Sequence, residues 1–423
     1  MFQNSGLSLE QAPPIEVVLR FFLNGTIFAI LGGIFLFLFN SNIFDIASKE
    51  ALIVVHSYTI GFALSFMLGA LFQMLPVIGG VAIKSPFILA LRSQYLLTFG
   101  TMLLLSYFYS GSLFLLIAGA GAIYIGVLIA IVPMSYYLLK SRVEHPSTKG
   151  MSYAIYILVF VLFTSLLLLV ARGGINIDLN YLLIKKSHII FGLIGWISLL
   201  IISVNFQVIE MFYVTKAYPK WYMKYTPKII FILAIALFLA ALIDINLWIV
   251  VIFLAILLIF HSILSLKRIL NRKRKIKEPT SYFWIISFVS LLFSSFITIL
   301  LQFVDSSFLT ILDAIFFYLF FSSAILAMSL KIVPFLVWFH LNAKGYFEAP
   351  LMHEVISPKV GFSLLCLFIA SAIFLIISSI FTSFIYLASI FTLFVYIILF
   401  IAIYSSWHKY IKVIREGRQF KLS

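Results

Sequence analysis

The sequence predicts an all-α polytopic membrane protein. Of its 423 residues, 64% are hydrophobic and only 10% are charged, which is too little charge to cover the surface of a soluble protein of this size. Apolar runs of about 20 residues, the length at which a helix crosses the hydrocarbon core of a bilayer, recur along the whole chain. These runs do not alternate apolar and polar residues as the strands of a membrane β-barrel do.

About twelve membrane helices follow from the lengths of the apolar runs. The predicted segments span residues 17–40, 51–76, 87–109, 112–139, 151–171, 186–214, 227–243, 246–266, 281–303, 307–340, 357–380 and 383–407. The loops between them are too short to hold a soluble domain. Residues 1–423 are therefore predicted to form a single transmembrane domain in a lipid bilayer.

The basic residues predict how the helices are oriented. If the N-terminus is cytoplasmic, twenty-four of the 29 Lys and Arg residues fall on the cytoplasmic side and four on the opposite side, while Lys331 lies within a helix. This positive-inside bias predicts that both termini are cytoplasmic. The net charge of +15, including the run KRILNRKRKIKEP, then reflects topology and contact with anionic lipid, and no nucleic-acid partner is expected.

The second and sixth segments share a pattern of polar residues. In this orientation each has a histidine near its outer start, early glycines and an inner glutamine: His56 and Gln73 in one, His188 and Gln207 in the other. A neutral imidazole is a ligand for heme iron or copper. The pair is therefore a candidate cofactor site, with a hydrogen bond to a neighbouring helix as the alternative for each histidine.

Small residues recur every four positions in the second segment. Ser57, Gly61, Ser65 and Gly69 form one helical face that ends in Gln73. Such a face allows the close approach of another helix backbone or of a flat cofactor. Gly61 is thus a candidate cofactor contact, and ordinary helix packing is the alternative.

A polar path is predicted in the inner half of the bundle. Gln73, Asn205, Gln207, Glu210 and Lys331 all fall at this depth. Lys331 would either extend to the cytoplasmic boundary or pair with Glu210, since a buried carboxylate needs a partner.

The tenth segment is too long to cross the bilayer straight, and Pro334 should kink it. Beyond it come His340, His353 and Glu354. Two histidines and a carboxylate are a ligand set for a divalent metal, although their spacing is not diagnostic and loop packing explains it equally well.

The remaining histidines, His145, His261 and His408, are predicted to lie at the membrane interface. The single cysteine, Cys366, excludes an internal disulfide and any cysteine-based zinc or iron–sulfur site within the chain. Hydrolytic enzymes are disfavoured, because His353-Glu354 lacks the second histidine of a zinc protease motif.

The overall pattern resembles the catalytic subunit of heme-copper oxidases and nitric oxide reductases. The shared features are about twelve helices, cytoplasmic termini, and outer histidines on helices 2 and 6, and the likeness covers nearly the whole chain. NnrS-type membrane proteins are similar too. The stretches FQVIEMFYVTKAYP, KIVPFLVWFHLNAKG and MHEVI resemble a bacterial membrane family that looks like a divergent branch of this superfamily.

The resemblance implies a bundle like that of oxidase subunit I. His56 occupies the place of an axial ligand of the low-spin heme, and His188 lies roughly where a copper ligand lies in the oxidases. Two departures matter. The seventh segment has no histidine pair, and the outer half of the tenth has no histidine, offering only Met328 at greater depth. We therefore do not expect oxygen reduction by the oxidase mechanism.

The expected function is that of a heme- or metal-binding membrane protein. Heme b would be held by His56 and His188 with Met67 or Met328 as a further candidate ligand, and copper or another divalent metal is the other cofactor considered. The role would be redox chemistry, small-gas handling or support of a respiratory complex. The expected protein partner is a cytochrome or a respiratory subunit. If heme is bound, the activity would be oxidoreductase-like. A transporter or channel for a small solute or metal ion is the first alternative, and a structural subunit of a membrane complex is the second.

Overall fold

The computed structural model describes residues 9–140, 145–174, 179–273 and 275–419, and twelve helices in these ranges are long and apolar enough to cross a membrane. Arg142, Arg274 and Lys421, which contribute to the predicted charge bias, lie outside them. The twelve helices are α1 (Ile15–Phe44), α2 (Lys49–Gly79), α3 (Pro86–Ser110), α4 (Leu113–Lys140), α5 (Pro146–Arg172), α6 (Tyr181–Tyr213), α7 (Lys220–Leu242), α8 (Trp248–Leu270), α9 (Pro279–Leu300), α10 (Ser307–Ala343), α11 (Pro358–Ser378) and α12 (Thr382–Glu416).

The predicted number of membrane helices is confirmed, but several helices are longer than predicted. For example, α7 begins at Lys220 and carries Pro227 inside it, and α12 continues to Glu416. The reason is that an apolar run marks only the part of a helix that lies in hydrocarbon. The polar and basic turns at its ends extend beyond this part.

Helices α2 and α6 are the most enclosed elements of the bundle. The central parts of α2 and α6 are 89% and 83% buried, against 28–56% for the other ten spanning helices of the described chain. Most residues in these parts of the two helices therefore face protein and not lipid. This burial makes them the natural place for a site inside the membrane.

Glycines bring α3 and α4 into backbone contact. A Cβ atom built on Gly100 would lie 2.7 Å from the Ile123 nitrogen and 2.8 Å from the Gly119 oxygen. The connection between the two helices turns at Gly111, whose φ of +75° is a conformation that side-chain-bearing residues rarely adopt. Close approach through small residues is a common mode of helix association in membranes.

Both ends of the described chain lie at one end of the bundle, which we call the terminal end. There Tyr346 and Gln419 form an antiparallel bridge, and the Phe347 N–H donates to the Arg418 oxygen at 3.2 Å. At the N-terminal side, the Pro13 carbonyl contacts His340 near the end of α10.

Large apolar side chains cover the outside of the bundle. Phe99, Phe114 and Leu139 expose 62%, 76% and 76% of their surfaces. Such exposure is costly in water but matches a hydrocarbon surrounding. Together with the twelve apolar helices it indicates a multi-pass protein in a lipid bilayer.

Candidate functional site

The histidines of α2 and α6 lie near each other, close to the end of the bundle opposite the terminal end. His56 and His188 are both partly buried and are within electrostatic range of each other. The His56 ring also packs against Phe108 of α3, with ring centroids 4.9 Å apart. The chain therefore brings together two imidazoles that are 132 positions apart in the sequence.

Both histidines precede an unusual stretch of helix. In α2, a π-helical segment covers Ser57–Leu64 and is followed by fifteen α-helical residues. In α6, a π-helical segment of the same length covers Phe191–Ser198 and is again followed by fifteen α-helical residues. Wide helical turns of this kind are rare and are frequent at functional sites. The two helices thus share their construction as well as their polar pattern.

Hydrogen bonds hold both imidazole rings through the same nitrogen. His56 Nδ1 lies 2.8 Å from the Leu52 carbonyl oxygen, so this nitrogen carries the proton. His188 Nδ1 lies 3.2 Å from Thr164 Oγ1. The threonine hydroxyl already donates to the Phe160 carbonyl at 2.8 Å, so Oγ1 accepts from His188. In both rings Nδ1 therefore carries the proton and the lone pair is on Nε2.

A positive charge lies beside this pair. Arg172, the last residue of α5, is within electrostatic range of His56 and of the Tyr107 and Tyr181 side chains. Two neutral imidazoles and a guanidinium would suit a group that combines a metal with an anionic substituent.

The glycines around the pair differ in what they contact. A Cβ atom on Gly61 would lie 2.4 Å from the Phe28 ring, so its small size serves the packing of α1 against α2. A Cβ atom on Gly192 would meet no atom within 4 Å. Gly192 follows His188 by four residues, about one helical turn. Protein therefore leaves open space beside α6 at Gly192, which is itself partly exposed, whereas Gly61, the predicted cofactor contact, is packed against Phe28.

The methionines considered as further heme ligands lie elsewhere. Met67 and Met328 line a cavity of about 60 Å³ that also contacts Leu200 of α6. Leu200 is twelve residues beyond His188, about 18 Å along a helix. Met328 is therefore too deep in the bundle to share a ligand with the two histidines.

The five residues of the predicted inner path do not form one continuous chain of contacts. Gln73 is buried and its Oε1 has no partner in the described structure. Glu210 Oε1 accepts from the Tyr218 N–H at 2.7 Å. Lys331 pairs with Glu278, so the predicted pairing of Lys331 with Glu210 is wrong. Glu278 lies in the loop before α9, and only the folded bundle brings it to α10. Asn205 is fully buried, whereas Gln207 is only partly so.

We find no protein-family model and no curated protein that matches this chain.

The predicted metal ligands at the terminal end are not gathered into one group. Both ring nitrogens of His340 face backbone carbonyl oxygens, with Nδ1 at 2.9 Å from the Leu336 oxygen and Nε2 at 3.0 Å from the Pro13 oxygen. Glu354 accepts from the Leu351 N–H at 2.8 Å, and His353 is exposed. No cluster of three or more His, Cys, Asp or Glu side chains with the arrangement of a metal site occurs in the described ranges.

Sequence reasoning missed the histidine of α8. His261 was predicted to be interfacial, which assigned it only a depth; the folded chain buries it completely within the protein. Its Nδ1 lies 3.0 Å from the Tyr222 hydroxyl, and its Nε2 lies 3.4 Å from Asn205 Nδ2 and 3.3 Å from Ser265 Oγ. Ser265, one helical turn further on, places a polar atom on the helix face that His261 shares, and this was the available signal.

Proposed function

We propose that this chain is a heme- or metal-binding membrane protein in which Nε2 of His56 and Nε2 of His188 are the ligand atoms. One observation carries the proposal: two neighbouring imidazoles on the two most enclosed helices are both held through Nδ1, which leaves both Nε2 lone pairs available. Histidine ligands are usually oriented in this way by a hydrogen bond from their other nitrogen.

The residues present fit a flat metal-bearing group beside α6. The Leu52 carbonyl and the Thr164 hydroxyl orient the two imidazoles, Gly192 leaves open space, and Arg172 offers a cation to an acidic substituent. A bound heme b would supply one-electron redox chemistry or a binding position for a small gas. Copper or another divalent metal would use the same two nitrogens.

We also propose that the helix bundle is a divergent form of the heme-copper oxidase fold and that it has a defined orientation in the membrane. We place the histidine pair in the outer half of a bacterial cytoplasmic membrane, with both termini in the cytoplasm, where it would exchange electrons with a cytochrome or respiratory subunit or bind a small gas. The helices that supply further histidines in the oxidases lack them here: α7 has none, and the only histidine of α10 is His340 at the terminal end. Oxygen reduction by the oxidase mechanism is therefore not part of the proposal.

The deciding experiment is an absorption spectrum of detergent-purified protein, oxidised and dithionite-reduced, with metal analysis of the same sample. We expect a Soret band, or a stoichiometric metal, that is lost in His56→Ala and in His188→Ala. Gly192→Phe should reduce cofactor content by filling the open space, and the exposed His408→Ala should match the wild type. A wild-type protein that shows only protein absorption and no bound metal, after expression with heme precursor and copper supplied, would overturn the proposal.

A transporter for a small solute or metal ion is the second candidate. Its support is that Gln73 Oε1 on α2 and Asn205 Oδ1 on α6 are buried without partners in the described structure, as expected of groups that contact a passing ligand. Uptake into proteoliposomes that is lost in Gln207→Leu or Glu210→Gln would support it. Uptake that is absent, or that is unchanged in both variants, would count against it.

A further inference from the structure

A cavity in the middle of the bundle carries the inference. It has a volume of about 60 Å³ and lies where α2, α6 and α10 meet, with Phe22 of α1 and Trp284 of α9 completing its wall. A single water molecule needs only about 10–15 Å³ of such space. The cavity is separate from the histidine pair, because Met67 at its wall is eleven residues beyond His56, about 16 Å along a helix.

The wall of this cavity is almost wholly apolar. Three lining residues carry a side-chain nitrogen or oxygen, but these atoms are covered or have partners elsewhere. Ser329 Oγ donates to the Ile325 carbonyl at 2.7 Å. Asn205 Nδ2 lies 3.4 Å from His261 Nε2, and the Asn205 Oδ1 and Trp284 Nε1 atoms are themselves buried. No Asp, Glu, Lys or Arg lines the cavity in the described structure.

This lining selects against polar ligands. A buried water molecule needs two to four polar partners, which the wall does not offer. An ion would lose its hydration without any replacement. Apolar cavities inside proteins remain dry, and one of about 150 Å³ takes up benzene or xenon. Because the present cavity is less than half that size, its ligand should be smaller than benzene.

Three of the ten methionines of the chain line this one cavity: Met67 and Met74 of α2, and Met328 of α10. Methionine side chains are unbranched and polarisable, and they adapt to ligands of different shape. A nonpolar ligand would gain dispersion contacts with wall atoms that otherwise face a void. The structural alternative is that these side chains only fill an irregular gap between the helices.

The surrounding bilayer supplies nonpolar molecules to such a site. The hydrophobic effect transfers them from water into hydrocarbon, and the outside of the bundle is covered by large apolar side chains such as Phe99 and Phe114. A ligand that arrives from lipid carries no hydration shell, so it loses no hydrogen bonds on entering the cavity.

We propose that this cavity is a binding site for small nonpolar molecules, which are uncharged and contain at most a few heavy atoms. Dispersion contacts hold the ligand, and no bond is made or broken. The site does not depend on the histidine pair, so either proposal can fail without the other.

The test uses full-length protein in detergent, with ¹³C-labelled methionine methyl groups observed by NMR. Xenon is applied at rising pressure, and cyclopropane is the second probe. We expect saturable shifts of the methyl signals of Met67, Met74 and Met328. Met134 of α4 is fully buried but does not line the cavity, and Met211 is 39% exposed. These two signals should show only the linear effect of xenon dissolved in the detergent.

A variant that fills the cavity should lose the site. Ala70 of α2 and Ala324 of α10 both line it, and the double substitution Ala70→Val and Ala324→Val should weaken xenon binding by about tenfold or more, because the added methyl groups occupy the ligand's space. Ala314→Val changes an exposed alanine of α10 and should leave binding unchanged. If the double variant elutes as aggregate, Ala70→Val alone replaces it, with a smaller expected loss.

Three results would overturn the proposal. The first is the absence of a saturable xenon effect on the three methyl signals, which would mean that the methionines only fill a gap. The second is equal xenon affinity in the parent protein and the filled variant. The third is a saturable effect of formamide, a small polar molecule, on the same signals, since it would show that the cavity is a polar site.

Discussion

Lys331 of α10 forms an ion pair with Glu278, the residue that precedes α9. The two side chains are only 18% and 25% exposed, and the Lys331 ammonium also lies 5.7 Å from the centre of the Tyr213 ring of α6. The pair therefore connects α9, α10 and α6 near the terminal end. Because it is partly buried, it should matter more to stability than an ion pair on the surface.

Removal of one partner of this pair should destabilise the fold. We expect Glu278→Gln to lower the free energy of unfolding by about 1–3 kcal/mol, because the Lys331 ammonium loses its anion in a poorly hydrated place. The double substitution Glu278→Gln with Lys331→Met should cost less than the sum of the single ones. The free energy of unfolding of each variant is measured by denaturant unfolding in detergent. The control is Lys412→Met, which breaks an exposed ion pair with Glu416 and should have almost no effect. If the losses of the two single substitutions at Glu278 and Lys331 simply add in the double variant, the two side chains do not stabilise each other.

The buried His261 should be required for stable packing of α8. His261→Ala leaves the Tyr222 hydroxyl and the Asn205 amide without their partner and creates a cavity, so we expect a loss of about 2–4 kcal/mol. His261→Gln should lose less, since an amide can replace part of the hydrogen bonding. Thermal unfolding compares them with the exposed His408→Ala. Equal melting temperatures for His261→Ala and His408→Ala would show that the network is dispensable.

The contact between α3 and α4 provides a matched pair of glycine substitutions. Gly100→Ala places a methyl group 2.7 Å from a backbone atom of α4, so the helices must separate, and we expect a loss of about 1–3 kcal/mol. Gly121→Ala on α4 meets nothing within 4 Å and should be neutral or slightly stabilising, because alanine favours helix. The measurement is thermal stability in the same detergent. A similar loss in both variants would indicate a helix effect and not a packing effect.

The contact at the C-terminal segment should depend on pH. The Arg418 backbone N–H and guanidinium hold the pKa of the Glu348 carboxyl below its ordinary value. A lowered pKa means that the contact is stabilised above the pKa of the unfolded state and is lost as the pH falls through the folded one. We expect a spin label at Gln419→Cys, in the Cys366→Ser background, to become mobile as the pH is lowered below about 4.

Two observations would check the pH assignment. Glu348→Gln should make the label mobile at every pH, since an amide does not ionise. High salt should weaken the contact at neutral pH, because the pair is exposed to solvent. A label whose mobility is the same at neutral and acidic pH would show that Glu348 does not control the segment.

The chain's sequence determined the number of membrane helices and the depth of each polar residue along its helix. The length of an apolar run and the rise per residue of a helix are local quantities, so the twelve helices could be counted and His56 and His188 could be assigned to one level. The small-residue face of α2 could also be recognised in the sequence, but the helix that packs against it could not. In the structure, Gly61 contacts Phe28 of α1.

Only the tertiary structure decided which side chains meet. The level of a residue does not reveal the rotation of its helix or the identity of its neighbours, which depend on packing between segments far apart in the sequence. For this reason His261 proved to be buried beside Asn205, and Lys331 pairs with Glu278 and not with Glu210. The π-helical segments and the methionine-lined cavity have the same origin, because both depend on how α2, α6 and their neighbours fit together.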